Sequence, residues 1–249
     1  MFSPLAFEQT TIVTNGLVLN LDASDRTSYP TTGTTWRDLS GTGNNGTLTN
    51  GPTFNSGNGG SIVFDGVDDY GSFIINFLSL GYTQITVETW FKPTTTGAVM
   101  IFENSPNWNA NPGGFGLAIN VDGNNPNPNL CHTAYWNGGN ITARNYAFTC
   151  GTTNYSCHVN IYSNISDPTG RLTYVNGNLL SYTSTGGFPT STATSTGSSF
   201  GNFTTYLSSR GGSTVFFNGN TAVIRLYNRK LTSSEITQNF QATRARFGI

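Results

Sequence analysis

The sequence predicts an all-β fold of antiparallel strands packed face to face, with one short C-terminal helix, and three observations carry that expectation. Apolar residues recur with a period of two: Leu17, Leu19 and Leu21; Ile85, Val87, Thr89 and Phe91 against Thr86, Glu88, Trp90 and Lys92; Phe115, Leu117, Ile119 and Val121; Ala222, Ile224 and Leu226. Residues two apart share one face of a strand, so each run reads as a strand with one side in a core. Glycine, asparagine and proline punctuate the runs, and only 9% of the 249 residues are charged, against ~25% in a typical domain. Thr232-Ser233-Ser234-Glu235 is a capping box ahead of Ile236 and Phe240, which places a helix at about residues 233–242.

Taken in order, residues 1–15 form an arm with Phe2, Pro4, Leu5 and Phe7, too short for a domain, that either adds a strand to the body or reaches a neighbour. Residues 16–249 are then one domain. Residues 16–21 are a half-buried strand, residues 22–30 a polar loop, and residues 36–48 a loop anchored by Trp36. Residues 61–73 read as strand, tight turn, strand. Gly66 supplies the positive φ of a hairpin, while Asp65, Asp68 and Asp69 bond the backbone of the turn they sit in. Three carboxylates within five residues are equally the makings of a hard-cation site. Residues 122–129 are a polar loop, and residues 131–150 one long hairpin turning at Asn137-Gly138-Gly139-Asn140. Residues 184–199, rich in Thr, Ser and Gly, are a mobile rim loop.

Several classes are excluded or disfavoured. A net charge of −1 gives no general attraction to nucleic acid or an anionic membrane. No run reaches the ~18 apolar residues of a membrane span. Residues 1–11 lack the basic and apolar regions of a secretory signal, so the expectation is a chain used without that export route or one whose signal is gone. Cys131, Cys150 and Cys157 are odd in number, which leaves either one local bridge or buried thiols, and with His132 and His158 they match no structural zinc spacing. The five basic residues Arg225, Arg229, Lys230, Arg244 and Arg246 near the end read as a small patch or a solvated face.

Residues 16–23 (Gly-Leu-Val-Leu-Asn-Leu-Asp-Ala), the 36–48 loop, Phe64-Asp65-Gly66-Val67-Asp68-Asp69-Tyr70, Ile85 to Pro93, Tyr174-Val175-Asn176-Gly177 and Phe217 to Thr232 occur in the order and spacing of a known family. The chain resembles a laminin G-like domain of the concanavalin A-like lectin and glucanase superfamily. The resemblance covers residue 16 onward and is weakest over residues 122–167. The strand at residues 155–162 departs from the family by lacking its tryptophan.

What the resemblance implies is an antiparallel jelly-roll β-sandwich that binds glycans or proteins at its rim loops or concave sheet, often with calcium. Asp68 and Asp69 occupy the turn where calcium-dependent relatives place ligands, with Asp65 and Asp22 as helpers. Sugar stacking wants exposed aromatics, and Trp108, Tyr135 and Trp136 are the candidates; Trp36 and Trp90 read as core. Glucanases of this fold carry a Glu-x-Asp-x-x-Glu strand that is not found here. Glu88 reads as an outward-facing surface residue, Glu103 is followed by Asn and Ser, and Glu235 belongs to the cap. The expectation is therefore a non-enzymatic virion component, since single modules of this style resemble phage capsid decorations, fibres and tails. Its partners would be other assembly proteins and glycans, in a homo-oligomer. The alternative is a calcium-assisted lectin, extracellular or at the cell surface.

Overall fold

The computed structural model describes residues 10–95, 97–105, 113–119, 130–137, 140–163, 172–180 and 200–249. Its strands are β1 (Leu17–Asp22), β2 (Thr35–Trp36), β3 (Gly46–Thr49), β4 (Thr53–Asn55), β5 (Ser61–Asp65), β6 (Tyr70–Ile74), β7 (Gln84–Pro93), β8 (Val99–Asn104), β9 (Phe115–Ile119), β10 (Leu130–Asn137), β11 (Asn140–Thr149), β12 (Ser156–Ser163), β13 (Thr173–Val175), β14 (Asn178–Leu179), β15 (Thr204–Leu207) and β16 (Asn218–Tyr227). The helix α1 (Ser233–Arg244) follows. They build two antiparallel sheets. One runs β14-β13-β12-β7-β16-β5-β4, with β1 paired to the far half of the β16 edge that β5 uses. The other runs β11-β10-β9-β8-β15-β6-β3-β2.

The alternating runs do what their period demands. Leu19, Leu21, Phe64, Val87, Phe91, Ile224 and Leu226 from the first sheet meet Leu48, Phe73, Phe102, Phe115 and Leu117 from the second in one buried core, each worth ~1.5–3 kcal/mol of transfer free energy. Trp36 and Trp90 are fully buried. Residues 176 and 177 turn the β13–β14 hairpin with φ of 48° and 79°, the left-handed pair that an Asn-Gly turn supplies. The 131–150 hairpin is present as β10 and β11, with Asn137 opposite Asn140. Thr232 and Glu235 make the reciprocal capping box that starts α1. Cys131, Cys150 and Cys157 are buried and joined by no disulfide.

Three expectations are corrected. Residues 61–73 are not a hairpin: β5 belongs to the first sheet, between β4 and β16, and β6 to the second, between β3 and β15. The turn carries the chain across the sandwich. A corner needs the same positive-φ glycine and side chain-bonded backbone as a hairpin, so the local signal did not separate them. Glu88 is not an outward surface residue. It is fully buried, on the sheet face turned away from the core, because α1 and the segment at residues 10–13 cover that face. There it accepts from Arg225 Nη1 at 2.7 Å, Trp90 Nε1 at 2.8 Å and Asn239 Nδ2 at 2.9 Å. Nor do the late basic residues form a free patch: Arg225 is buried on Glu88, Arg229 pairs with Glu235 at 2.6 Å, and Arg246 pairs with Asp22 at 2.7 Å.

The arm's described part packs on the body without forming a strand. Val13 N–H donates to Asn239 Oδ1, and the Tyr227 hydroxyl donates to the Val13 carbonyl. Trp90 stacks on Phe240 and Phe247, with ring centroids 5.8 and 4.6 Å apart. The first sheet is thus covered on both faces. The loops expected at residues 122–129 and 184–199 lie outside the described residues.

Candidate functional site: an acidic corner beside an open sheet

The second sheet is treated differently. Across β2, β3, β6, β15 and β8 the outward row reads Thr35, Thr47, Ser72, Tyr206 and Glu103 by register. Thr35 and Thr47 are exposed, and Ser72, Tyr206 and the neighbouring Tyr70 are half-buried. Polar and aromatic side chains alternating with core residues leave this face open, as an antiparallel sheet with one solvated side should be. The rings of Tyr70 and Tyr206 lie 6.0 Å apart, tilted by 56°. Gly212, on the loop after β15, packs against both rings, where a Cβ would come within 3.0 Å of Tyr206.

The acidic corner leads directly into Tyr70. Asp65 Oδ1 accepts from Val67 N–H at 2.8 Å, and Asp69 Oδ2 accepts from Asp65 N–H at 3.2 Å. Gly66, at φ 78°, makes the bend possible, and a side chain there would strike Asn218. Asn218 and Asn50 tie the corner to β16 and to the loop after β3 by donating to the carbonyls of Asp65 and Asp68. One ligand oxygen from each of Asp65, Asp68 and Asp69 falls within 4.8 Å of the others. Burial raises the Asp69 carboxyl above its usual range, and the charges of Asp65 and Asp68 push the same way against the Asp65 N–H. That repulsion is what a bound cation removes, and a carboxylate trio on a loop suits calcium, which takes irregular oxygen sets at 2.3–2.6 Å. The three corner acids therefore fit the ion in chemistry. Asp22 does not join them. It ends β1, where its Oδ1 accepts from Ser24 and Arg246.

Glu103 is the residue that sequence reasoning passed over. It sits on the open sheet beside Tyr206, beneath the loop at residues 208–214, with its Oε2 accepting from Gly211 N–H at 3.2 Å and its Oε1 buried without a hydrogen bond. Burial pushes its carboxyl up to about 8, against the opposing pull of Arg210 and the Gly211 N–H. It is thus an acid that stays protonated at neutral pH. The available signal was a lone carboxylate in the apolar strand Val-Met-Ile-Phe-Glu. Of the aromatic candidates, Trp108 lies outside the described residues. Tyr135 and Trp136 lie on β10, opposite Ala143 and Ile141 of β11, and their side chains fall outside what is described.

A laminin G family model, described as the concanavalin A-like lectin/glucanases superfamily, matches residues 64–237. No curated protein matches the chain. Among solved structures, Trypanosoma rangeli sialidase superposes with a TM-score of 0.62 at 16% identity, covering 93% of this chain and 33% of that one. The same sialidase in complex with sialic acid gives 0.64 at 16% identity, covering 93% and 34%. The binding domain of botulinum neurotoxin DC in complex with SialylT gives 0.62 at 11% identity, covering 92% and 52%. This chain spans about a third of the sialidase and about half of the neurotoxin fragment, and at these identities the likeness is one of fold.

Proposed function

The chain belongs to the concanavalin A-like lectin/glucanases superfamily, and from that premise we propose that it is a non-catalytic, glycan-binding adhesion component of a virion, using calcium at its acidic corner. The observation that carries this reading is the unequal treatment of the two sheets. One has its outer face largely covered by α1 and residues 10–13. The other leaves a row of hydroxyls and two tyrosines open or half open to solvent, above a buried glutamic acid and beside three carboxylates that suit a cation. Hydroxyls, aromatic faces and a metal are the groups that hold sugar rings. The solved complexes of similar folds with sialic acid and SialylT point the same way.

The non-catalytic part rests on where the acids stand. Glu88 is committed to Arg225, Trp90 and Asn239, and Glu235 to the helix cap and Arg229. Asp65 and Asp68 are exposed at a turn tip, whereas glycoside hydrolysis needs two carboxyl groups flanking one bond. The assembly part rests on the Thr-, Asn- and Gly-rich, weakly charged composition. A homo-oligomer is supported by Ile74, Leu78 and Leu80, each more than half exposed at the exit of β6.

A glycan array run with calcium and again with chelator tests the binding. Sugar signals that vanish in Tyr206→Ala and fall in Asp68→Asn are expected; none in either condition would defeat the glycan reading. Immunogold labelling of the source material tests the location. Label at regular sites on particles is expected, and label confined to cell surfaces or medium would replace the virion by an exported lectin.

A further inference from the structure

Between residues 10–12, the end of β1 and the last turn of α1 lies a cleft of about 580 Å³, on the helix side of the covered sheet. Its floor is Arg225, 3% exposed, whose side chain is held at three points. Nε donates to Asn20 Oδ1 at 3.3 Å, and Nη1 donates to Glu88 Oε1 at 2.7 Å and to Thr243 Oγ1 at 3.2 Å. Nη2 takes part in none of these bonds. Its acceptor neighbour is Asp22 Oδ2 at 3.9 Å, beyond hydrogen-bond length. The other oxygen of that carboxylate, Oδ1, is occupied, accepting from Ser24 N–H at 2.9 Å, Ser24 Oγ at 2.8 Å and Arg246 Nη1 at 2.7 Å. The cleft therefore presents one donor and one acceptor side by side. Each is fixed by bonds made elsewhere in the same side chain.

A gap of 3.9 Å is spanned by a single hydroxyl that accepts from Nη2 and donates to Oδ2 at ~2.8 Å each. The surrounding charge selects the rest of the ligand. Arg225 and Arg246 are balanced by Asp22 and Glu88, so neither an anion nor a cation gains net attraction. Thr10, Thr11 and Ser24 at the rim offer further hydroxyls to a neighbouring one. A neutral molecule with adjacent hydroxyls fits; an apolar one leaves the Arg225–Asp22 pair unmet.

We propose that this cleft is a second, independent binding site for a neutral polyhydroxyl ligand, a hexose unit or an inositol, held by Arg225 Nη2 and Asp22 Oδ2. It does not rest on the open-sheet reading. The test is saturation-transfer NMR on the full chain with D-glucose, D-galactose, D-mannose and myo-inositol in turn, and gluconate as the anionic control. At least one neutral compound is expected to bind in the millimolar range. Ala242→Leu, which grows a side chain into the cleft from a helical position, should weaken it at least tenfold, and so should Asp22→Asn. If Ala242→Leu fails to fold, Ala245→Leu at the exposed lining position replaces it. Tyr206→Ala removes any contribution of the open sheet, so a signal should remain in that variant and should be lost when Ala242→Leu is added to it. The proposal is overturned if no neutral compound receives saturation, if the cleft-filling variant binds like the parent, if gluconate binds more tightly than glucose, or if Tyr206→Ala abolishes the signal and so assigns it to the open sheet.

Discussion

Removing the Arg225 guanidinium tests whether the helix is fastened to the covered sheet by charge. Arg225→Met keeps much of the side-chain volume and leaves Glu88 fully buried, with only Trp90 Nε1 at 2.8 Å and Asn239 Nδ2 at 2.9 Å to offset its charge. Breaking one side of a buried pair costs ~3–5 kcal/mol because the remaining charge cannot be rehydrated. In a domain of this size each kcal/mol moves Tm by ~2–4 °C, so thermal unfolding at pH 7 should begin roughly 10 °C lower. The double variant Arg225→Met with Glu88→Gln removes the stranded charge, while the Gln carbonyl still accepts from Trp90. It should recover at least half of the loss. Circular dichroism melts of the four proteins form a double-mutant cycle. A drop of less than about 3 °C in the single variant, or a double variant no better than the single, would refute the argument.

Three further outcomes are expected. Glu103 has its folded carboxyl pushed up from 4.5 to about 8, so its stabilising contribution is complete below pH 4.5 and is lost as pH rises through about 8. The parent should weaken across that window, and Glu103→Gln should flatten the slope measured by urea midpoints. Glu235 is held down to about 2, chiefly by Arg229, so its contribution is present above its unfolded pKa and disappears only as pH falls through about 2. Glu235→Ala should cost ~1 kcal/mol at pH 7, the size of a lost helix cap, and a melt unchanged within error would remove the cap's role. Gly66→Ala would place a Cβ 2.7 Å from that of Asn218 at φ 78°, costing ~1–2 kcal/mol. If calcium binds the corner, this variant should also lose the calcium-induced rise in Tm.

The periodic strands, the capping box and the long β10–β11 hairpin were all legible because each is written in residues close together in the chain. A two-residue period tells which side chains share a face but not what lies over that face. That is why Glu88 read as exposed: its cover, α1 and Val13, comes from residues far away in sequence. Arg225 and Arg246 were misread for the same reason, since Glu88 and Asp22 reach them through the fold from 137 and 224 positions away, whereas Arg229 finds Glu235 only six positions on. The acidic corner was visible as chemistry and misread as topology. Glu103 offered only a carboxylate in an apolar strand, and the loop that buries it returns from the far side of β15.

The position of β16 has a consequence for how the molecule is made. It is seated between β7 on one side and β1 with β5 on the other, and Val13 reaches Asn239 across 226 positions. A chain leaving the ribosome exposes the edges of β1, β5 and β7 long before the strand that unites them has been translated. Pairings of such sequence separation form slowly and leave sticky edges open in the meantime. Lesions in β16 should therefore register first as lost yield in the producing cell, in inclusion bodies and degraded nascent chains, before any purified molecule exists whose binding can be weighed.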